Sequence, residues 1–169
     1  GIQPDIVAMG KGIGNGYPVS ATSLSKRIVS LLEGKPAPYG QSHLNDPLGA
    51  AVAEAVIALV RKEELIQRAE ELSAILIPGL QRIGSNSNLI ECVRGRGLMA
   101  VLVMAGQSGV SAAARLHKRL FERGILVDHR QGNPILRMDP ALTIEAEELR
   151  RFLSVLEETL DAMGAEFQP

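Results

Sequence analysis

A short apolar run near the start of the chain constrains its fold more than any other feature. Residues 6–9 read IVAM and lead directly into GKGIGNG, where a single lysine, Lys11, stands among four glycines. Strands of parallel sheets are covered on both faces, so they read as continuous apolar runs rather than alternating ones. We therefore predict a short buried strand over residues 5–9, with Lys11 just beyond its end.

The residues that follow predict a second strand and two helices. Residues 17–24 indicate a strand of small residues, and Ser25 is placed to cap a short helix over residues 26–32. Residues 33–40 are rich in proline and glycine and predict a loop. Asp46 followed by Pro47 favours a helix start, and because the next residues are apolar nearly all round, we expect this helix to be buried.

The rest of the chain alternates helices with short strands. A helix with one leucine-rich face is predicted first (Leu65, Ala69, Leu72, Leu76, Leu80), and residues 89–104 then predict two strands broken at glycines. Residues 111–123 predict a helix ended by Gly124, with short strands on either side of the turn HRQGN. The final helix is predicted from Thr143 on an apolar stripe: Leu149, Phe152, Leu153, Leu156, Leu160 and Met163.

Composition limits the function classes. The 169 residues suffice for one domain or part of a larger one, and 46% of them are hydrophobic. A net charge of −1 does not favour nucleic acid or an acidic membrane surface, and no run reaches transmembrane length. A single cysteine, Cys92, and three scattered histidines predict no disulfide framework, no metal site and a cytoplasmic location. Since the sequence opens mid-pattern without methionine, we expect a piece of a longer protein.

Lys11 admits three interpretations. A phosphate loop is disfavoured, because Gly12 follows the lysine where serine or threonine is required, and the dinucleotide fingerprint fails at Asn15 and Tyr17. A solvated lysine in a surface turn is the ordinary alternative, and Asn15 beside glycines itself predicts a turn with positive φ. The third is a Schiff-base lysine: partial desolvation at the end of a buried strand would keep the amine reactive, and flanking glycines leave room for a planar cofactor.

Four segments, in order, resemble one enzyme family. PDIVAMGKGIGNGYPVSA, around Lys11, looks like the cofactor-lysine segment of class III pyridoxal-phosphate aminotransferases, the group of acetylornithine, ornithine and 4-aminobutyrate aminotransferases. QSHLNDPLGAA, VRGRGLM and ILRMDPALTI are similar to three later blocks of the same family. The resemblance covers essentially the whole chain and implies the C-terminal half of a family member.

The resemblance implies an α/β fold of fold type I and roles for three residues. Residues 1–62 would be the end of the large-domain sheet with a connecting helix, and residues 63–169 a small C-terminal α+β domain. Lys11 would form the Schiff base with pyridoxal phosphate and move the proton between substrate and cofactor. Ser42 would bind the cofactor phosphate of the partner subunit in a homodimer. Arg137 would hold a substrate carboxylate, which suits guanidinium geometry.

Several positions depart from the family pattern. His43 replaces an aromatic residue, Asp46 an asparagine and Ala141 a second proline, which affects substrate choice rather than the role of Lys11. The family's phosphate-binding turn, its ring-stacking aromatic and the aspartate that keeps the pyridine nitrogen protonated would precede residue 1. We therefore expect the isolated chain to be inactive.

The predicted function is ping-pong transfer of an amino group from an amine or amino acid to a 2-oxo acid. Two alternatives stay open. The same cofactor chemistry at Lys11 would serve an aminomutase or epimerase, and a truncated chain without catalysis would serve as an interaction module.

Overall fold

The computed structural model describes residues 1–35, 40 and 42–165. It separates into two compact units, Gly1–Glu64 and Leu65–Pro169. Part of the predicted loop, residues 36–39, lies outside the described residues, as does Gln41 of the second motif. No helix in the described ranges is long and apolar enough to cross a membrane.

The first unit contains a two-stranded ribbon and two helices. Strand β1 (Ile6–Met9) pairs antiparallel with β2 (Ala21–Leu24). Helix α1 spans Lys26–Leu32 and α2 spans Pro47–Lys62. Both predicted caps are confirmed: the Ser25 side chain accepts a hydrogen bond from the Ile28 amide, and that of Asp46 accepts one from the Leu48 amide.

Two expectations about this unit are wrong. The strand β1 is antiparallel and exposed at all four positions, not a buried parallel strand, and Gly49 is the one buried residue among those described in α2. An apolar pattern indicates that residues favour burial, but it does not say what covers them. A two-stranded ribbon and two helices offer too little surface to cover both faces of a strand and every side of a helix. The second strand is also shorter than predicted, because Pro18 lacks the N–H that a ladder requires and the chain turns there.

The second unit is a four-stranded antiparallel sheet with three helices. Helix α3 spans Leu65–Asn86, and the strands are β3 (Ile90–Arg96), β4 (Met99–Met104), β5 (Asp128–His129) and β6 (Ile135–Met138), in the spatial order β3-β4-β6-β5. Helix α4 spans Gly109–Glu122 and α5 spans Ala146–Ala165. Gly124 follows α4 with φ 76°, and its amide donates to the Phe121 carbonyl, which confirms the predicted glycine stop.

The core of this unit lies where α3 and α4 cover one face of the sheet and α5 packs on both helices. The predicted leucine faces of α3 and α5 are confirmed, apart from Ala69, which is half-buried. Strand β4 alternates in burial, so Ala100, Leu102 and Met104 face the helices while the intervening residues occupy the other face of the sheet. The helices therefore cover the face of the sheet that carries these buried residues and leave its opposite face open.

Surface ion pairs join the helices around this core. Arg82 on α3 pairs with Glu157 on α5, and Arg123 after α4 pairs with Glu158. Hydrogen bonding to each guanidinium lowers the pKa of its glutamate partner. Both pairs are solvated, so they orient the helices more than they stabilise them.

Candidate active site

The lysine singled out by sequence begins a tight turn directly after β1. Lys11–Ile13 form a single 3-10 turn, closed by a hydrogen bond of 3.0 Å from the Gly14 amide to the Lys11 carbonyl. Lys11 itself has φ 54°, in the left-handed region that side-chain-bearing residues seldom adopt. Asn15 has φ 44°, which confirms the positive φ predicted for it. Two non-glycine residues in this region within one short segment mark backbone strain of the kind found at functional sites.

The glycines of the turn have different physical roles. A Cβ on Gly14 would lie 2.2 Å from the Tyr17 carbonyl oxygen and 2.7 Å from Val19 Cγ1, so only glycine allows the backbone to approach there. A Cβ on Gly12 would meet no atom of the described residues, other than its chain neighbours, within 4 Å. Gly14 therefore closes the turn, whereas Gly12 leaves open space next to Lys11.

This difference yields a matched pair of variants. We expect Gly14→Ala to destabilise the turn by about 1–3 kcal/mol, because the contact is with backbone that has to move. Gly12→Ala should stay within about 0.5 kcal/mol of the native protein, since its methyl group enters open space. Native-state hydrogen exchange at the amides of Tyr17 and Val19, which both donate within this turn, measures the effect. Equal exchange in the two variants would show that the turn does not depend on Gly14.

The turn rests on the start of helix α2. Gly49, the buried residue of α2, lies against the side chain that follows the turn: a Cβ there would be 3.2 Å from Val19 Cγ2. Close packing of the helix on Val19 therefore fixes the position of the Lys11 turn relative to the first turn of α2. The segment before α2, which carries Ser42, belongs to the same unit.

Lys11 is exposed, as is strand β1 before it, so the described residues do not provide the desolvation expected at the end of a buried strand. The lysine lies on an open hollow of about 530 Å³. The hollow is lined by the turn itself: Lys11, Gly12, Asn15, Gly16, Tyr17, Pro18 and Val19. Within the described residues, Lys11 forms no ion pair or side-chain hydrogen bond. A primary amine thus stands on a hollow with space beside it, an arrangement available to an aldehyde or to an anion.

Ser42 lies in the turn that precedes α2. It is exposed, and its hydroxyl has no hydrogen-bond partner among the residues the structure describes. Asp46, four residues later, uses its side chain to cap the helix. The capping function and the free hydroxyl are therefore carried by different residues.

Arg137 lies in the other unit, on strand β6. Its neighbours Leu136 and Met138 are buried against the helices, so by strand alternation Arg137 occupies the open face of the sheet. Its Nη2 lies 3.1 Å from Asp128 Oδ2 and 3.1 Å from Asp139 Oδ2. All three residues also line a cavity of about 500 Å³ in this unit.

The two aspartates are residues that the sequence interpretation missed. Asp139 is two residues from Arg137, so the period of two along a strand could have placed it on the same face. Asp128 is the cross-strand partner of Arg137 in the β5–β6 pairing, a neighbour that sequence separation alone does not reveal. The two arginines of VRGRGLM, Arg94 and Arg96, are both exposed on β3.

Comparison with known proteins gives one family. The model of the family described as aminotransferase class-III matches residues 1–160. Ornithine aminotransferase of Schizosaccharomyces pombe is 35% identical over 162 residues, covering 95% of this chain and 36% of that protein. A leucine/methionine racemase of Thermococcus litoralis is 32% identical over 165 residues, covering 95% of this chain and 37% of the racemase.

Solved structures show the same fold. Acetylornithine aminotransferase from Elizabethkingia anophelis superposes with a TM-score of 0.86 at 33% identity, over 95% of this chain and 40% of that one. An amine transaminase from an uncultivated Pseudomonas species, in its PLP-bound (internal aldimine) form, gives a TM-score of 0.85 at 27% identity, over 95% and 39%. These likenesses confirm the predicted fold as part of a transaminase, and the chain spans somewhat over a third of the length of the relatives it matches.

Proposed function

The chain belongs to the class-III aminotransferase family, and from that premise we propose that it acts in pyridoxal-phosphate-dependent transfer of an amino group from an amine or amino acid to a 2-oxo acid. The observation that carries the proposal is the Lys11 amine, exposed after a short strand and set on a hollow by glycines. Ordinary solvated turns also leave a lysine exposed, so the support for a cofactor role comes from the space beside Gly12 together with the family to which the chain belongs.

The residues of the Lys11 turn fit pyridoxal phosphate. An aldehyde carbon needs an amine that no carboxylate holds, and Lys11 has no such partner among the described residues. A planar ring needs a wall without side-chain atoms, and the position of a Cβ on Gly12 is empty to 4 Å. When bound, the cofactor supplies an aldehyde and an electron-withdrawing ring.

Within this proposal, Lys11 has two tasks. Its Nζ would hold the cofactor in the resting protein, and once substrate has displaced it, the free amine would accept a proton from the substrate carbon and pass it to the cofactor. The strained backbone at φ 54° fixes the direction in which the side chain leaves the turn. Both tasks depend on this orientation, because proton transfer needs atoms within hydrogen-bond reach.

Ser42 is the proposed phosphate ligand, and we propose that it serves the partner subunit's cofactor in a homodimer. Its exposed hydroxyl, without a partner among the described residues, is available to donate to a phosphate oxygen. Apolar side chains of α2 support a subunit contact next to it, since Leu48 is 58% exposed and Leu59 46%. We also propose a cytoplasmic location, supported by Cys92 as a free thiol.

Arg137 is the proposed substrate-binding residue. A guanidinium on the open face of a sheet is suited to a carboxylate. Asp128 and Asp139 each place a carboxylate oxygen 3.1 Å from its Nη2, so a substrate carboxylate would compete with them for this nitrogen.

A second candidate activity is racemisation or another rearrangement on the same cofactor. The likeness to the leucine/methionine racemase favours it, because that relative is nearly as similar as the ornithine aminotransferase. Racemisation returns the proton to the substrate carbon that lost it, whereas amino transfer passes it to the cofactor, and Lys11 would move the proton in either activity.

Product analysis tests the proposal. The full-length protein that carries this segment is incubated with pyridoxal phosphate and an amino donor, with and without a 2-oxo acid, and the products are separated by chiral chromatography. Amino transfer gives a new amino acid only when the 2-oxo acid is present. Inversion or rearrangement of the donor without acceptor would favour the second candidate, and no change in donor under either condition would contradict both.

A further inference from the structure

Two of the three histidines meet in the second unit. The imidazole rings of His117 on α4 and His129 on β5 have their centroids 5.5 Å apart, with an angle of 31° between their planes. The third histidine, His43, belongs to the first unit. Positions that are scattered in the sequence predict no metal site, whereas the folded unit brings two metal-binding side chains together.

The fold places both rings where α4 packs on the sheet. His129 is the direct cross-strand partner of Leu136, which is 0% exposed and faces the helices. Since directly opposite residues of an antiparallel pair share one face of the sheet, His129 lies on the helix side as well. Helix α4 contacts β5, and both histidines are half-buried. Packing therefore limits the motion of the two rings while solvent still reaches them.

A hydrogen bond fixes the tautomer of one ring. His129 Nε2 lies 3.1 Å from the Asn133 carbonyl oxygen. A carbonyl oxygen only accepts, so Nε2 carries the hydrogen in this bond, and Nδ1 of the neutral ring keeps its lone pair. Histidines that bind metals commonly donate their other ring N–H to a backbone carbonyl in this way. His117 forms no hydrogen bond to the described residues, so a nitrogen of each ring is available to a ligand.

The separation of the rings suits one bridging ion. Two imidazoles that bind a tetrahedral Zn²⁺ at about 2.0–2.1 Å from each ring nitrogen have centroids roughly 5 Å apart. The 5.5 Å observed here is close to this value, and small side-chain rotations close the difference. In the part of the chain that the structure describes, no third histidine, cysteine, aspartate or glutamate joins the pair, so water would complete the coordination. Imidazole suits Zn²⁺, whereas Mg²⁺ prefers oxygen ligands.

We propose that His117 and His129 form a zinc site that links helix α4 to strand β5. Strand β5 is two residues long and lies at the edge of the sheet, where β6 is its neighbour. An ion held by both imidazoles adds a second attachment for this short strand, on the helix side. The site involves neither Lys11 nor pyridoxal phosphate, and it goes beyond the proposed amino transfer.

The test counts zinc ions in the full-length protein that carries this segment. Zinc is titrated in competition with a chromophoric chelator, and Mg²⁺ is titrated in parallel. The native protein is compared with His117→Gln, His129→Gln, the double variant and His43→Gln. Because His43 is an exposed histidine of the first unit, the last variant controls for the loss of one imidazole elsewhere.

The native protein should take up one more equivalent of zinc than the double variant. Each single variant should weaken binding at this site by about tenfold or more, because loss of a ligand costs at least as much as loss of a group that orients one. The double variant should bind no more weakly than the single variants, since the two imidazoles act together. His43→Gln should match the native protein, and Mg²⁺ should not compete.

Equal zinc uptake by the native protein and the double variant would overturn the proposal, as would effects of the two single variants that simply add. Anomalous diffraction at the zinc edge gives a second measurement that needs no variant. Crystals of the native protein grown with zinc should show a peak between the two rings, and zinc-saturated crystals without that peak would refute the site. Hydrogen exchange of the peptide that carries β5 should slow when zinc is added to the native protein, and unchanged exchange would refute the link between α4 and β5.

Discussion

Lys11→Ala should abolish covalent capture of pyridoxal phosphate at the glycine turn. In the native protein, incubation with the cofactor followed by borohydride reduction should fix the label as a secondary amine, concentrated on the peptide that carries Lys11. The reason is geometric: the amine has no ion pair among the described residues, and a Cβ at Gly12 would find nothing within 4 Å. Mass spectrometry of the digested protein locates the label.

Lys26→Ala is the matched control for this experiment. Lys26 is also an exposed lysine of the first unit, but it begins helix α1 rather than standing in a glycine turn. We expect it to leave labelling at Lys11 intact. Equal labelling of native and Lys11→Ala proteins would mean that surface lysines account for the signal and would remove Lys11 from its proposed role. Where amino transfer is measured, loss of the proton-transferring amine should lower its rate by about 10²–10⁴.

Leu156→Ala should produce a large loss of stability in the second unit. Leu156 is 0% exposed on α5, within the core that α3, α4 and the sheet complete. Removing its side chain leaves a cavity among residues that cannot collapse fully, which costs about 2–5 kcal/mol in the free energy of unfolding. Urea denaturation followed by far-UV circular dichroism measures this loss, since three helices of this unit contribute to the signal.

The same substitution at Leu126 provides the control. Leu126 is 80% exposed, so Leu126→Ala removes the same atoms without opening a core cavity, and its effect should remain below about 0.5 kcal/mol. Equal destabilisation by the two variants would show that burial in this unit does not govern its stability.

The helices of the second unit were readable from sequence because their signals are local. The leucine stripe of α5 and the glycine after α4 depend on residues within one or two turns of each other, and the structure confirms both. The caps at Ser25 and Asp46 are equally local, each joining a side chain to an amide two or three residues away. The four motif segments then led to the class-III family, which the comparisons confirm.

The sequence could not decide what covers an apolar residue. The run IVAM predicted a buried strand, yet burial depends on the elements brought against it, and in this unit β1 is one half of an exposed ribbon. The strand direction was missed for the same reason, because parallel and antiparallel pairing differ in distant partners rather than in local composition.

The sequence by itself determined the helices, their caps and the family, with Lys11 as the residue to examine. Only the tertiary structure decided the surroundings of the candidate residues: the left-handed backbone at Lys11, the approach that requires Gly14, and the two carboxylates on Arg137. Asp128 reaches Arg137 through cross-strand pairing between residues nine positions apart, on strands joined by a turn. The charge around that guanidinium is therefore a property of the folded sheet.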